Sequence, residues 1–140
     1  MPTVTVTSDT LDATLGENEI VLLDFWADWC GPCKQFAPVF ESSSELNSEI
    51  VYGKIDTEDQ QQLAAAAQIT SIPTLMAFKK GVPVFRQSGA LPPAVLEDLV
   101  TQLKELDLDA ALAAAKAAEA SENGSGAADS DTVDSGTVAE

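Results

Sequence analysis

The sequence predicts an α/β chain in which a mixed central β-sheet carries helices on both faces. Three observations point there. Ile20 to Trp26 is an almost unbroken apolar run between polar residues, the pattern of a central strand covered on both sides. Apolar residues at helical spacing follow at Phe36, Val39 and Phe40, and again at Val95, Leu96, Leu99, Val100, Leu103 and Leu106. Helices with such a stripe cover a sheet. Lys79-Lys80-Gly81 separates two short strand-like runs, which marks a hairpin and hence an antiparallel pair. The order βαβαβ, then ββα, gives a mixed sheet between helical layers.

The elements follow in chain order. Val4 and Val6 alternate with threonines, which suits a short edge strand, and Leu11 and Leu15 before Gly16 suit a short helix with a glycine stop. The helix after the central strand holds Pro38 in its interior, which removes one backbone donor and should bend it. Ser42-Ser43-Ser44 weakens helical propensity and is expected on the solvent face. Ile50 to Asp56 reads as a strand, and Gln60 to Gln68, rich in alanine and glutamine, as a helix. Thr74 to Phe78 and Val82 to Gln87 form the hairpin, with Pro83 suggesting an edge position. Pro92-Pro93 then opens the last amphipathic helix.

A chain of 140 residues is long enough for one domain with a single core. Seven basic against 23 acidic side chains give a net charge of −16. Phosphate binding is driven by Lys and Arg, so nucleic acid and anionic membranes are disfavoured, and other proteins are the expected partners. Met1 to Thr10 carry no Lys or Arg and no long apolar run, which predicts neither a secretory signal nor a membrane span, and a cytoplasmic location. The character changes at Asp107. Residues 107–120 are Ala-rich, so the last helix is expected to run on past the core. Residues 121–140 combine Gly, Ser and acids with no basic residue, which predicts a disordered, solvating tail.

The chemistry-bearing residues are few. Cys30 and Cys33 are the chain's two cysteines, and histidine is absent. Two residues between sulfurs is a spacing that allows either a disulfide or metal coordination. A structural zinc site wants four Cys or His ligands, which this chain does not supply. The missing histidine also removes a Cys-His dyad. Activation of Cys30 must come from elsewhere, and Gly31-Pro32 leads into a helix whose first turn suits proline. A sulfur at that helix N-terminus meets unpaired N–H groups and the positive end of the dipole, so its thiolate is favoured. Two inert core cysteines are the bland alternative, against which the turn-forming Gly-Pro pair argues. Asp24 interrupts the central apolar run. Burial raises a carboxyl pKa, and a perturbed acid a few residues before a reactive thiol is a candidate for proton transfer.

Phe25-Trp26-Ala27-Asp28-Trp29-Cys30-Gly31-Pro32-Cys33-Lys34, with Pro38 downstream, resembles the active-site signature of the thioredoxin family. Ser71-Ile72-Pro73-Thr74 resembles its cis-proline loop, and Phe78-Lys79-Lys80-Gly81 and Ser88-Gly89-Ala90 fall where its later turns fall. The similarity spans residues 1–106. It implies a thioredoxin fold and a protein-disulfide reductase that serves cellular redox homeostasis by dithiol–disulfide exchange. Cys30 is then the nucleophile, Cys33 the resolving thiol, and Cys30–Cys33 the redox-active disulfide. Asp24 falls on the family's buried aspartate, which accepts the resolving thiol's proton. Lys54, counted back from Pro73 with a one-residue deletion, falls on the lysine that pairs with that aspartate. Substrate would dock along Trp29, Gly31, Pro32, Ile72, Pro73 and Gly89, with the backbone of Ile72 free to add an extended segment as a strand. The resemblance further implies no bound cofactor or metal, a monomer, and electrons from NADPH through a flavin-containing thioredoxin reductase. Two other readings stay open. One is an oxidant or isomerase, since the redox potential depends on surroundings. The other is a binding or chaperone module using the Trp29 and Pro73 surface.

Overall fold

A computed structural model describes residues 3–114 and 116–117; the tail read over 121–140 and the end of the Ala-rich segment lie outside the described residues. The elements are β1 (Thr3–Thr5), α1 (Leu11–Glu17), β2 (Ile20–Trp26), α2 (Gly31–Leu46), β3 (Val51–Asp56), α3 (Gln61–Ala66), β4 (Thr74–Lys79), β5 (Val82–Ser88) and α4 (Pro93–Glu105). They build a five-stranded sheet in the order β1-β3-β2-β4-β5. β1, β3 and β2 run parallel, while β4 and β5 pair antiparallel.

Alternation along β2 sorts its side chains onto two cores. Ile20 and Leu22 pack with Phe36 and Phe40 of α2 and with Leu96, Leu99, Val100 and Leu103 of α4. Val21, Leu23 and Phe25 point the other way, toward Ile55, Leu11, Leu15 and Leu63. Asp24 therefore belongs to the α2 face. Pro83 sits on the outer strand beside a register shift at Ala77/Phe78, where a missing N–H disturbs the ladder least. In the hairpin, Lys80 and Gly81 have φ of 53 and 81, the left-handed pair that a two-residue turn between twisted strands requires. Lys79 belongs to β4 rather than to the turn; it is buried, and its ammonium donates to the Leu103 carbonyl.

Four sequence expectations need correction. α1 passes through Gly16 and ends at Glu17, closed by the Asn18 side chain, which donates to the Thr14 carbonyl at 2.9 Å. Ser43 and Ser44 are buried rather than solvent-facing. Phe36, Phe40, Ser43, Ser44 and Asn47 recur at helical spacing, so these serines extend the buried stripe of α2. Ser43 Oγ shares a hydrogen bond of 2.7 Å with the Tyr52 hydroxyl, and Asn47 Nδ2 donates to the Ser43 carbonyl and to Glu97, each at 3.0 Å. Ser43→Ala should lower stability by about 1–2 kcal/mol in urea unfolding, since it weakens the pairing of a buried phenol. Next, α3 is shorter than the Ala/Gln-rich run, stopping at Ala66. Finally, α4 ends at Glu105 and helix resumes at residue 108. Asp107 starts the new segment, its Oδ1 accepting from the Ala110 N–H at 3.1 Å, as an N-cap acid does. The chain accordingly divides into one unit ending at Glu105 and another beginning at Leu106. No helix among the described residues is long and apolar enough to cross a membrane.

Candidate functional site

β2 delivers the chain to a short turn, and Cys30 is the N-cap of α2 in an extended conformation, φ −91 and ψ 111. Its sulfur stands where a capping serine or aspartate oxygen would stand. The Cys33 N–H donates to Cys30 Sγ at 3.1 Å. Gly31 and Pro32 form the first turn, which contains no acidic residue, so nothing there opposes a negative sulfur. The two sulfurs are joined as a disulfide, with Cα atoms 5.2 Å apart, and both cysteines are 3% exposed. Once reduced, Cys30 gains its thiolate stabilisation from that N–H and from the helix dipole.

The Ile72-Pro73 peptide bond is cis. It lies against the cysteines: Cys30 Sγ is 3.7 Å from the Ile72 carbonyl oxygen. Gly89 joins this cluster through its N–H, which donates to the Pro73 carbonyl at 2.7 Å. Trp29 is 70% exposed, with Nε1 donating to Glu58 Oε2 at 3.1 Å. Beneath it lies a groove of about 270 Å³ lined by Thr57, Ala64, Ile69, Thr70, Ser71 and Ile72. Of the residues expected to dock substrate, Ile72 approaches the Cys30 sulfur directly and shares a groove with Trp29, Gly31 and Pro32 open the helix that Cys30 caps, and Gly89 is tied to Pro73.

Asp24, within β2, is 1% exposed, and neither carboxylate oxygen has a hydrogen-bond partner. Burial raises its pKa to about 7, partly offset by the positive charge of Lys54. Lys54 is the register partner of Asp24 across β2 and β3. Its ammonium lies 5.0 Å from the centre of the Trp26 ring, so it reaches the carboxylate through its field while resting on an aromatic face. A small cavity of about 90 Å³ opens among Trp26, Ala27, Cys33 and Lys54, room enough for a water molecule.

Sequence reasoning missed Glu58, one acid among Asp56, Glu58 and Asp59 that reads as a solvated cluster. Its role as acceptor for Trp29 depends on the loop after β3. No cluster of His, Cys, Asp or Glu that could hold a metal occurs among the described residues.

Known proteins resemble this chain in sequence and fold. A family model described as Thioredoxin matches residues 2–102. A relative in Streptomyces coelicolor, which carries the provisional name thioredoxin 2, is 54% identical over 107 residues, or 76% of this chain and 80% of that one. A Mycobacterium leprae protein named bifunctional thioredoxin reductase/thioredoxin is 43% identical over 97 residues, covering 65% of this chain and 21% of that one. Among solved structures, a mutant thioredoxin from Halobacterium salinarum superposes with a TM-score of 0.69 at 36% identity, covering 75% of this chain and 94% of that one.

Proposed function

The chain belongs to the thioredoxin family of thiol–disulfide oxidoreductases, matched over residues 2–102, and we propose that it reduces protein disulfides with Cys30 as attacking thiolate and Cys33 as resolving thiol. The observation that carries this reading is the Cys33 N–H directed at Cys30 Sγ at 3.1 Å, at the start of α2. Negative charge on that sulfur is matched by a donor already in place.

In the proposed cycle the Cys30 thiolate attacks one sulfur of a substrate disulfide. That S–S bond breaks, its second sulfur leaves as a thiolate, and Cys30 holds the first in a mixed disulfide. Cys33 then loses its proton and attacks Cys30 Sγ. The mixed disulfide breaks, the substrate departs with both sulfurs reduced, and the two electrons it gained leave Cys30–Cys33 as a disulfide. Asp24, with a pKa of about 7, is suited to take the Cys33 proton near neutrality because it is neither fixed as carboxylate nor fixed as acid. Lys54 keeps that value from rising further. Substrate lies along Trp29, Gly31, Pro32, Ile72, Pro73 and Gly89.

Recharging needs two electrons from outside. The Mycobacterium leprae relative named for both activities supports a thioredoxin reductase as the donor, with flavin and NADPH on that partner and no cofactor bound here. A monomer in the cytoplasm, where thiols stay reduced, fits this cycle. The test is NADPH consumption by the full-length chain with a thioredoxin reductase and insulin as disulfide substrate. Consumption that depends on both proteins is the expected result. Reduction of insulin by dithiothreitol-charged protein without NADPH consumption would overturn the partner assignment, and no reduction by either route would overturn the function.

A further inference from the structure

Arg86 is the chain's one arginine, and it does not face solvent unengaged. α3 closes with the Gln68 N–H on the Ala65 carbonyl and the Ile69 N–H on the Ala64 carbonyl, each at 3.0 Å. That closure turns the chain through a left-handed residue, normally glycine. Here it is Gln68, at φ 58, where a Cβ crowds the following carbonyl. The carbonyls of Ala67 and Gln68, past the end of the helix, need partners from outside it. Arg86 supplies them from β5: Nη1 donates to Ala67 O at 2.6 Å, and Nη2 donates to Gln68 O. A planar guanidinium holds two acceptors in a fixed fork, which a lysine ammonium cannot do. Its charge also faces the negative end of α3.

The segment that begins at this clamp runs straight to the reaction centre. Ile69, Thr70, Ser71 and Ile72 wall the groove beside Trp29, and the Ile72 carbonyl is 3.7 Å from Cys30 Sγ. At its far end the Ser71 carbonyl accepts from Thr74 Oγ1 at 2.5 Å. The segment is held at both ends, and Arg86 provides the end that a strained Gln68 leaves weakest.

The geometry points to Arg86 as a positioning residue for protein disulfides: its fork on Ala67 and Gln68 fixes the groove wall against which a substrate polypeptide lies beside Cys30. This assignment rests on Cys30 being the attacking sulfur. A polypeptide substrate uses both the sulfur and the wall. A small disulfide needs the sulfur alone. The two substrates therefore separate positioning from chemistry.

The experiment compares wild type, Arg86→Met and Arg86→Lys as full-length chains, with dithiothreitol as reductant for insulin turnover so that no reductase contact enters the readout, and with pre-reduced, desalted protein in a single turnover for the small disulfide, which free dithiothreitol would reduce by itself. Insulin and 5,5′-dithiobis(2-nitrobenzoic acid) are the two disulfides. Arg86→Met should raise KM for insulin about tenfold with kcat and the small-disulfide rate within about twofold, the signature of a misplaced binding wall. Arg86→Lys, with the charge but not the fork, should lie between. An unchanged KM for insulin, or equal losses with both disulfides, would overturn the assignment. A wild type that reduces neither disulfide overturns the Cys30 reading instead. Should Arg86→Met fail to fold by circular dichroism, Arg86→Gln carries the same comparison.

Discussion

Asp24→Asn stabilises the oxidised protein at about pH 8 and leaves it nearly unchanged at about pH 3. In the unfolded chain this carboxyl titrates at the ordinary aspartate value of 3.8, whereas burial holds the folded value at about 7. Below the lower value both states carry the proton and Asp24 costs nothing. Between the two, the folded state keeps a proton that the unfolded state has lost, so stability falls as pH rises through the window. Above about 7 the loss is complete, on the order of 4 kcal/mol for a shift of this size. Asparagine cannot ionise but leaves a buried polar group without a partner, so it should recover about 2–4 kcal/mol, a rise in Tm of about 10 °C or more. Thermal unfolding of both proteins across the pH range checks this. A difference in Tm that is the same at acid and alkaline pH would contradict it. A cost of this kind is tolerated where the group works, and the same variant should slow reduction of insulin about tenfold or more through loss of the proton acceptor.

Cys30→Ser abolishes insulin reduction, by a factor on the order of 10⁴ or more, because a serine hydroxyl neither ionises near neutrality nor exchanges with a disulfide. Cys33→Ser behaves differently. It keeps the attacking sulfur and the backbone N–H at residue 33, so the first step proceeds and the second cannot. The expected record is a single stoichiometric burst followed by arrest, read as released substrate thiol. Continued turnover by Cys30→Ser, or the absence of any burst in Cys33→Ser, would contradict the assigned order of attack.

The sequence made the centre of the molecule readable for physical reasons. A run such as Ile20 to Trp26 is best satisfied by cover on both faces, and Gly31-Pro32 before an apolar stripe at helical spacing suits a helix start, so β2, the turn and the cap at α2 followed from local chemistry. Asp24 stood out because a carboxylate inside an apolar run has few solvated positions. What escaped notice depends on elements distant in the chain. Ser43 looks like part of a solvent face until the Tyr52 hydroxyl of β3 arrives beside it. Arg86 was invisible because its acceptors are backbone carbonyls at the end of α3, and no side-chain pattern advertises them. Glu58 was hidden among like charges. The resemblance placed Lys54 on the lysine paired with the buried acid. The fold puts its ammonium over Trp26, a contact that depends on the register of β2 with β3.

The most direct test of the account is covalent trapping. Reduced Cys33→Ser and reduced Cys30→Ser are each mixed with insulin, quenched with acid and weighed by mass spectrometry. A stable mixed disulfide through Cys30 is expected in the first variant and none in the second. An adduct that forms with Cys30→Ser through Cys33, and not with Cys33→Ser, would contradict it.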